Sequence, residues 1–206
     1  MYDRNALADE AIRCLTILNE KQMNIYEVVA VNVKKREGGL FFVYGHGGTG
    51  KTFLWKTIIN FLRSEEKIVL AVASSGIASL LIEGGRTTHS RFKVPINIDE
   101  NSTYNIKQKS FLAELIVQAD LLIWDEVPLN HKHVFEAVDR SFHDIMWHKD
   151  TNNLNKPFGG KTVLLGGDFR QILLVFPGKG RADIFMASIN NSYLWMLVLF
   201  LNWIKI

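Results

Sequence analysis

Residues 44–55 read YGHGGTGKTFLW, and this stretch decides the fold. Gly45 is followed by four residues and then by Gly50, Lys51 and Thr52, which is the spacing of a Walker A phosphate loop. An apolar run, GLFFVYG, precedes the loop, and a helical pattern, KTFLWKTIINFLRS, follows it. Glycines let the backbone wrap phosphates with its N–H groups exposed, and the helix adds the positive end of its dipole. The stretch therefore predicts a buried strand, a phosphate loop and a helix in succession.

The loop assigns a role to each of its polar residues. Lys51 would reach the β- and γ-phosphates of a nucleotide, and the Thr52 hydroxyl would be a ligand of Mg²⁺. A glycine turn with a chance Lys-Thr pair is the alternative, but the strand before the loop and the helix after it disfavour that alternative. The candidate nucleotide-binding residues are Gly45, Gly47, Gly48, Thr49, Gly50, Lys51 and Thr52.

A second segment, LLIWDEVPL, supplies the carboxylates that such a loop needs. Its apolar residues predict a strand that delivers Asp125 to the carboxyl end of a parallel sheet, where α/β proteins bind their ligands. Asp125 is the candidate Walker B metal ligand, and Glu126 would accept a proton from the attacking water. An adjacent Asp-Glu pair favours an ATPase over a GTPase, which positions water mainly with a glutamine, and over a small-molecule kinase.

A third segment, TVLLGGDFRQ, predicts another strand that ends in polar residues. Its two glycines would allow close approach of the backbone. Gln171 is an uncharged polar group that would sense the γ-phosphate. Asp168 and Arg170 would equally well pair with each other as a structural latch, and the sequence does not separate these readings.

Strands alternate with helical patterns along most of the chain, which indicates an α/β fold with a parallel sheet and helices on both faces. KIVLAVASS is the remaining predicted strand. Two helices are predicted at the start, over Ala8–Leu18 and from an Asn19 cap through Val33. Residues 86–110 are polar, and we expect them to form a long irregular surface excursion.

Composition and charge restrict the function only weakly. The chain has 206 residues, with 24 basic and 21 acidic side chains and a net charge of +3, which permits an anionic partner without requiring one. Cys14 is the single cysteine, and its helical context predicts a buried apolar role. The apolar tail YLWMLVLFLNWIKI falls short of the roughly 20 residues of a spanning helix. We therefore expect no membrane partner. We expect the tail to be a core strand or helix that lacks its packing partners.

Four ordered segments together resemble the Pif-type 5′-to-3′ DNA helicases of superfamily one, in particular the plant and helitron-associated branch. They are YGHGGTGKT, AVASSGIASLLIEGGRTTHSRFKVP, LLIWDEVPL and LLGGDFRQILLVFP. The resemblance runs from about Leu18 to Trp195 and implies a RecA-like P-loop ATPase domain that uses ATP and Mg²⁺ and moves on single-stranded DNA. Such helicases usually have proline where this chain has Leu174.

The resemblance also implies residue roles beyond the loop. Gln22 falls where these helicases recognise adenine, and an ordinary surface glutamine is the equal alternative. Two segments match those that contact the single strand, through hydroxyls and a helix N-terminus on phosphates and through an aromatic ring on a base. These candidate DNA-binding residues are Ser74, Ser75, Gly76, Thr88, His89 and Phe92. For His89, a structural role is an equal alternative.

The family continues beyond this chain into a second motor domain that supplies an arginine finger. We therefore expect three segments: a helical N-terminal segment over residues 1–36, the RecA-like ATPase domain over residues 37–190, and a truncated apolar tail over residues 191–206. The chain alone is expected to bind Mg-ATP, to hydrolyse it feebly and not to unwind duplexes. The alternatives are an inactive fragment and a P-loop kinase or ATPase acting on a small molecule.

The cellular setting follows from the resemblance alone. It implies DNA repair, recombination and telomere maintenance in the nucleus, with the mitochondrion as the alternative compartment.

Overall fold

A parallel sheet forms the centre of the computed structural model, which describes residues 3–95, 98–104, 106–147, 153, 155–171 and 180–201. All strand pairings in the sheet are parallel, and the strand order is β3-β2-β4-β5-β1-β6. The strands are β1 (Gly39–Tyr44), β2 (Val69–Ala73), β3 (Arg86–Thr87), β4 (Leu121–Asp125), β5 (Thr162–Gly167) and β6 (Val198–Leu201). Because β5 lies between β1 and β4, the carboxyl ends of these three strands are neighbours.

The helices alternate with the strands as the sequence predicts. They are α1 (Arg4–Leu15), α2 (Glu20–Lys35), α3 (Lys51–Ser64), α4 (Gly76–Leu80), α5 (Thr88–Phe92), α6 (Phe111–Gln118), α7 (Lys132–Met146) and α8 (Arg181–Ala187). Short 3-10 turns connect several of them, at Val127–Leu129, Pro157–Gly160, Phe169–Gln171, Ile189–Asn191 and Tyr193–Leu197.

Helices cover both faces of the sheet, which confirms the predicted architecture. Apolar side chains of α2 and α3 pack on one face, and those of α6 and α7 pack on the other. On the face covered by α2 and α3, the packed helix residues include Ile25, Val29, Leu54, Ile58 and Leu62. On the face covered by α6 and α7, they include Ile116, Phe135, Val138 and Phe142. Strand β1 is buried on both sides from Leu40 to Val43, as a central parallel strand requires.

The N-terminal helices begin at side-chain caps. The Asp3 carboxylate accepts hydrogen bonds from the N–H groups of Asn5 and Ala6, so α1 begins at Arg4 rather than at the predicted Ala8. Asn19 caps α2 as predicted, and this helix continues to Lys35. Cys14 is buried in α1, also as predicted.

The polar stretch at residues 86–110 is more ordered than expected. Its first two residues form β3 and pair with the end of β2, and α5 follows immediately. The Phe92 and Tyr104 rings lie in the hydrophobic core, and the Tyr104 hydroxyl donates to the Val134 carbonyl at 2.8 Å. The prediction of an irregular excursion is therefore wrong for β3 and α5, because contacts distant in sequence override the local polarity.

The described part of the apolar tail is the 3-10 turn Tyr193–Leu197 followed by the strand β6. β6 pairs in parallel with β1, with Val198 opposite Leu40. Val198 is buried, whereas the Leu199 and Phe200 side chains are about half exposed at this edge of the sheet. Residues 202–206 of the predicted tail segment lie outside the described residues. Within the described ranges, no helix has the length and apolar character needed to cross a bilayer.

Candidate active site

Three strand ends meet at one edge of the sheet and carry the predicted motifs. The loop Gly45–Gly50 leaves β1, Glu126 follows β4, and Asp168 follows β5. The Gly45 N–H donates to the Gly167 carbonyl at 3.1 Å, which joins the start of the loop to the end of β5. The fold therefore brings together residues that lie up to about 120 positions apart in sequence.

The phosphate loop has the backbone geometry that its glycines permit. Gly48 and Gly50 have φ values of 79° and 88°, and Gly50 is the N-cap of α3. Since a glycine N-cap has no side chain to accept hydrogen bonds, the first N–H groups of α3 keep their donors for a ligand. The Thr49 hydroxyl donates to the His46 carbonyl at 2.8 Å and closes the turn.

Lys51 projects from the first turn of α3 into the loop. Its ammonium donates to the carbonyl of Gly45 and, at 3.2 Å, to the carbonyl of His46. Partial burial lowers the pKa of Lys51, while the negative charges of Asp125, Asp168 and Glu126 oppose that shift. The ammonium therefore lies among the acidic groups at the strand ends, where a phosphate chain would be anchored.

Asp125 is the last residue of β4, and its side chain is 6% exposed. Burial raises the pKa of its carboxyl group, although the Lys51 charge opposes the rise. The Glu126 N–H donates to Asp125 Oδ1 at 3.0 Å and fixes the carboxylate. A Cβ placed on Gly166 would lie 2.8 Å from Asp125 Oδ1 and 2.5 Å from Trp55 Cζ2. Gly166 thus provides the space in which Asp125 and the Trp55 indole sit.

The Asp125 carboxylate and the Thr52 hydroxyl offer the oxygen ligands that Mg²⁺ prefers. Mg²⁺ usually binds one or two protein oxygens and takes its other ligands from water and phosphates. The buried, raised-pKa carboxyl of Asp125 next to the loop fits a cation that restores the ionised form. Within the described ranges, no group of three or more His, Cys, Asp and Glu side chains forms a separate metal site.

Glu126 adopts a left-handed backbone conformation, with φ 53° and ψ 32°. Such a conformation is uncommon for a residue other than glycine and stores strain of about 1–3 kcal/mol. Ser75 Oγ donates a hydrogen bond of 2.6 Å to Glu126 Oε2. The predicted proton acceptor is therefore held by a residue of the predicted DNA-binding segment, a contact that sequence reasoning missed.

Asp168 and Gln171 follow β5 and lie near the phosphate loop. Asp168 is buried and accepts from the Tyr44 hydroxyl at 3.2 Å and from the Arg170 N–H at 2.9 Å. The predicted latch is thus a backbone contact, since no ion pair joins these two side chains in the part of the chain that the structure describes. Gln171 is exposed, and a Cβ on Gly47 would lie 3.8 Å from its Nε2. Gln171 therefore borders the loop, and Leu174 lies outside the described residues.

Gln22 has a structural role in addition to any contact with a base. Its Oε1 accepts from the Asn19 N–H at 3.0 Å, and its own N–H donates to Asn19 Oδ1 at 3.0 Å. This reciprocal capping box leaves Gln22 only 7% exposed, so the alternative of an ordinary surface glutamine is wrong.

The segment after β2 lies beside the acidic pair. The Ser74 N–H donates to the Asp125 carbonyl at 3.1 Å, and its hydroxyl accepts from Asn130 Nδ2 and from Trp124 Nε1. Ser75 is the N-cap of α4, and Gly76 is exposed with open space around its Cα. Since α4 has only five residues, the hydroxyls rather than a helix dipole are its polar feature.

The second predicted DNA segment divides into buried and exposed residues. Phe92 is 0% exposed and packs edge-on against Phe142, so its face is closed to a base. Thr88 is also buried, and its hydroxyl donates to the Ala73 carbonyl at 3.2 Å. Both predicted DNA contacts are therefore contradicted, because these side chains attach α5 to the core. His89 is exposed on the outer side of α5.

A cavity of about 700 Å³ lies at the opposite edge of the sheet. Two of the basic side chains that line it have partners within the protein. Lys67 pairs with Asp120 at 3.6 Å, and Lys161 donates to the carbonyls of Val117 and Ala119. Burial lowers the pKa of Lys161 to about 8. These contacts give the cavity a structural explanation away from the phosphate loop.

Comparison with known proteins supports the motif assignment. The sequence model of a family described as PIF1-like helicase matches residues 17–206. The ATP-dependent DNA helicase PIF4 of Trypanosoma brucei brucei is 32% identical over 141 residues, which cover 66% of this chain and 17% of that protein. The ATP-dependent DNA helicase Pif1 of Psychrobacter sp. is 30% identical over 148 residues, which cover 71% of this chain and 21% of that protein. The chain thus spans about a fifth of the length of these relatives.

A solved structure shares the fold. The Pif1 helicase from Bacteroides, in complex with ADP-AlF3 and ssDNA, matches with a TM-score of 0.69 at 24% identity, over 91% of this chain and 42% of that chain. At this identity the likeness concerns the fold, and it confirms the predicted RecA-like α/β sheet. The plant and helitron-associated branch stays a prediction.

Proposed function

Because the chain belongs to the PIF1-like helicase family, we propose that it is an ATP-binding motor domain of an ATP-dependent DNA helicase. The observation that carries this proposal is the convergence of Lys51, Asp125 and Glu126 at the carboxyl edge of the sheet, beside an open phosphate loop. The names of the curated relatives support the same activity.

The loop would bind the nucleotide through backbone and side chain together. The N–H groups at the start of α3 would donate to the phosphates, and Lys51 would exchange its carbonyl partners for phosphate oxygens. Thr52 and Asp125 would hold Mg²⁺, which neutralises charge on the phosphates when bound. The capping box uses the side-chain oxygen of Gln22, and its side-chain amide nitrogen would hydrogen-bond the adenine edge.

Hydrolysis needs a base and a group that senses the terminal phosphate. Glu126 would accept a proton from the attacking water, since its carboxylate follows the metal ligand directly. Gln171 borders the loop at Gly47 and would contact the γ-phosphate. Asp168 would stay a structural residue, because Tyr44 and a backbone N–H already hold it.

Single-stranded DNA would bind on the neighbouring surface. Ser74, Ser75, Gly76 and His89 supply hydroxyl, backbone and imidazole groups that contact phosphates without selecting a sequence. The position of Ser75 beside Glu126 supports this proposal, as does the ssDNA in the complex of the Bacteroides Pif1 helicase. Thr88 and Phe92 would support the surface from the core.

Unwinding would belong to a longer protein. The chain covers 42% of the Bacteroides Pif1 chain, and the resemblance places the arginine finger, a group worth about 10³–10⁵ in rate in related phosphate chemistry, in a second motor domain. We therefore propose that this chain binds Mg-ATP and ssDNA but hydrolyses ATP feebly. Roles in DNA repair, recombination and telomere maintenance, and a nuclear location with the mitochondrion as the alternative, are further proposals from the family.

ATP turnover by the purified chain, with and without oligothymidylate, tests this function. We expect slow turnover that increases with oligothymidylate and disappears in Lys51→Ala. Turnover that ignores DNA and responds to a metabolite would instead favour an ATPase acting on a small molecule. Efficient duplex unwinding by the chain alone would refute the requirement for a longer protein.

A further inference from the structure

The Ser75 hydroxyl connects the proposed DNA surface to the proposed catalytic base. Ser75 Oγ donates to Glu126 Oε2 at 2.6 Å, within the short range of a hydrogen bond to a charged acceptor. The two residues lie 51 positions apart, at the ends of the neighbouring strands β2 and β4. One hydroxyl thus belongs to both sites.

The hydrogen-bonding capacity of this hydroxyl is limited. A serine hydroxyl has one proton to donate and two lone pairs to accept with. The proton of Ser75 goes to Glu126, and its oxygen accepts from the Ala78 N–H at 3.2 Å as the N-cap of α4. A phosphate oxygen accepts hydrogen bonds and cannot donate them, so a phosphate and Glu126 compete for the same proton.

The surrounding backbone would remain in place during such an exchange. The Ser74 N–H donates to the Asp125 carbonyl at 3.1 Å, and Asn130 holds the Ser74 hydroxyl. Thr88 ties the carbonyl of Ala73 to α5 at 3.2 Å. Rotation of the Ser75 O–H bond alone is therefore sufficient to change its acceptor, while the cap to Ala78 uses a lone pair and persists.

We propose that Ser75 is a positioning residue through which single-stranded DNA controls Glu126. Without DNA, the Ser75 proton holds the Glu126 carboxylate away from the water. When DNA binds, the Ser75 hydroxyl donates its hydrogen bond to a backbone phosphate instead. The released Glu126 carboxylate then accepts a hydrogen bond from the water. This mechanism rests on the proposed function and explains how DNA would stimulate turnover without a backbone movement at the acidic pair.

A double-mutant cycle in DNA affinity tests the competition without requiring turnover. Fluorescence anisotropy would measure the binding of labelled oligothymidylate to the wild type, Glu126→Ala, Ser75→Gly and the double variant. Removing Glu126 frees the Ser75 proton, so we expect affinity to increase about five- to tenfold in the presence of Ser75. The loss of the negative charge of Glu126 affects DNA affinity whether or not Ser75 is present, but only Ser75 has a proton to free. In the Ser75→Gly background we therefore expect Glu126→Ala to increase the affinity less than about twofold.

Matched variants separate the hydroxyl from the helix cap. Gly at an N-cap costs only a few tenths of a kcal/mol relative to Ser, so Ser75→Gly removes the proton with little loss of capping. Ser75→Ala is a second hydroxyl-free variant, and Ser75→Thr should restore the coupling. Ser110 caps α6 through the Ala113 N–H at 3.2 Å, the same geometry as Ser75, without contacting Glu126. Ser110→Ala should therefore leave the coupling unchanged.

The outcomes distinguish the proposed role of Ser75 from the proposed DNA-binding function. Oligothymidylate binding with additive effects of the two substitutions would overturn the role of Ser75 and leave the proposed function standing. A lower affinity in Glu126→Ala than in the wild type would also overturn that role. Failure of every folded variant to bind oligothymidylate would overturn both the role and the DNA-binding function.

Discussion

The backbone N–H of Gly45 donates a hydrogen bond of 3.1 Å to the carbonyl of Gly167, and this contact anchors the phosphate loop to the end of β5. Gly167 itself lies against Pro128, since a Cβ at this position would approach Pro128 Cδ to 2.2 Å. The loop, the end of β5 and the turn after the acidic pair are therefore in direct contact. A change at any of these glycines should affect both folding and ligand binding.

Gly166→Ala should destabilise the protein, because the added methyl group would overlap the Trp55 ring and the Asp125 carboxylate. Overpacking of this kind costs about 1–3 kcal/mol in the free energy of unfolding. Urea denaturation would measure the change. Gly76→Ala is the control, since a Cβ there meets nothing within 4 Å and alanine suits a helix. An equal loss in both variants would contradict the account of Gly166.

Gln22→Glu should separate the helix cap from adenine recognition. Glutamate at this position keeps the acceptor for the Asn19 N–H, so the free energy of unfolding should stay within about 0.5 kcal/mol of the wild type. The amide donor is lost, so the preference for ATP over GTP in a competition assay should fall. Asn19→Ala provides the comparison, because it removes the cap and should cost about 1 kcal/mol. Unchanged nucleotide preference in Gln22→Glu would exclude a contact with adenine.

Phe92→Ala and His89→Ala should have opposite consequences. Phe92 is fully buried against Phe142, so its truncation should cost about 3–5 kcal/mol of stability. Provided that the variant remains folded, its affinity for oligothymidylate should be unchanged. His89 is exposed, so its truncation should weaken DNA binding and leave the denaturation midpoint unchanged. Loss of DNA affinity in the milder variant Phe92→Leu would revive base stacking by this ring.

Asp125→Asn should change how stability depends on pH. Burial raises the pKa of Asp125 in the folded state, so this group contributes stability below the ordinary pKa of an aspartate. That contribution is lost as pH rises through the raised folded value. The variant should therefore be more stable than the wild type at neutral pH, and the difference should shrink as pH falls. Denaturation at several pH values would measure this trend, and a variant less stable at neutral pH would contradict it.

The same substitution should weaken Mg-ATP binding, because an amide is a poorer ligand for a hard cation than a carboxylate. Asp125→Asn would then increase stability and decrease Mg-ATP affinity, as expected where a buried carboxylate serves function at a cost in stability.

Local patterns were sufficient to predict the central strands and the loop. Continuous apolar runs predicted β1, β2, β4 and β5, and the Asn19 cap correctly predicted the start of α2. The polar motifs at the carboxyl ends of β1, β4 and β5 follow from parallel topology, which brings equivalent strand ends to one edge.

Features that depend on tertiary contacts were not predictable. β3 has two residues in a polar stretch, and only its pairing with β2 makes it a strand. The burial of Phe92 has the same origin, since its neighbours in sequence are mostly polar. The contact between Ser75 and Glu126 joins two motifs that were each identified separately. The adjacency of β2 and β4 was the missing information, since it places Ser75 next to Glu126.

Binding of Mg-ATP by isothermal titration calorimetry tests the central claim most directly, with Lys51→Ala compared with Lys56→Ala. Both lysines lie on α3, but Lys56 is exposed and pairs with Glu10 at 2.5 Å on the surface. We expect the wild type and Lys56→Ala to bind with equal affinity, and Lys51→Ala to bind about 10- to 100-fold more weakly because a charged hydrogen bond is lost. Equal binding by all three proteins, or no binding by the wild type, would contradict the assignment of this loop as the nucleotide site.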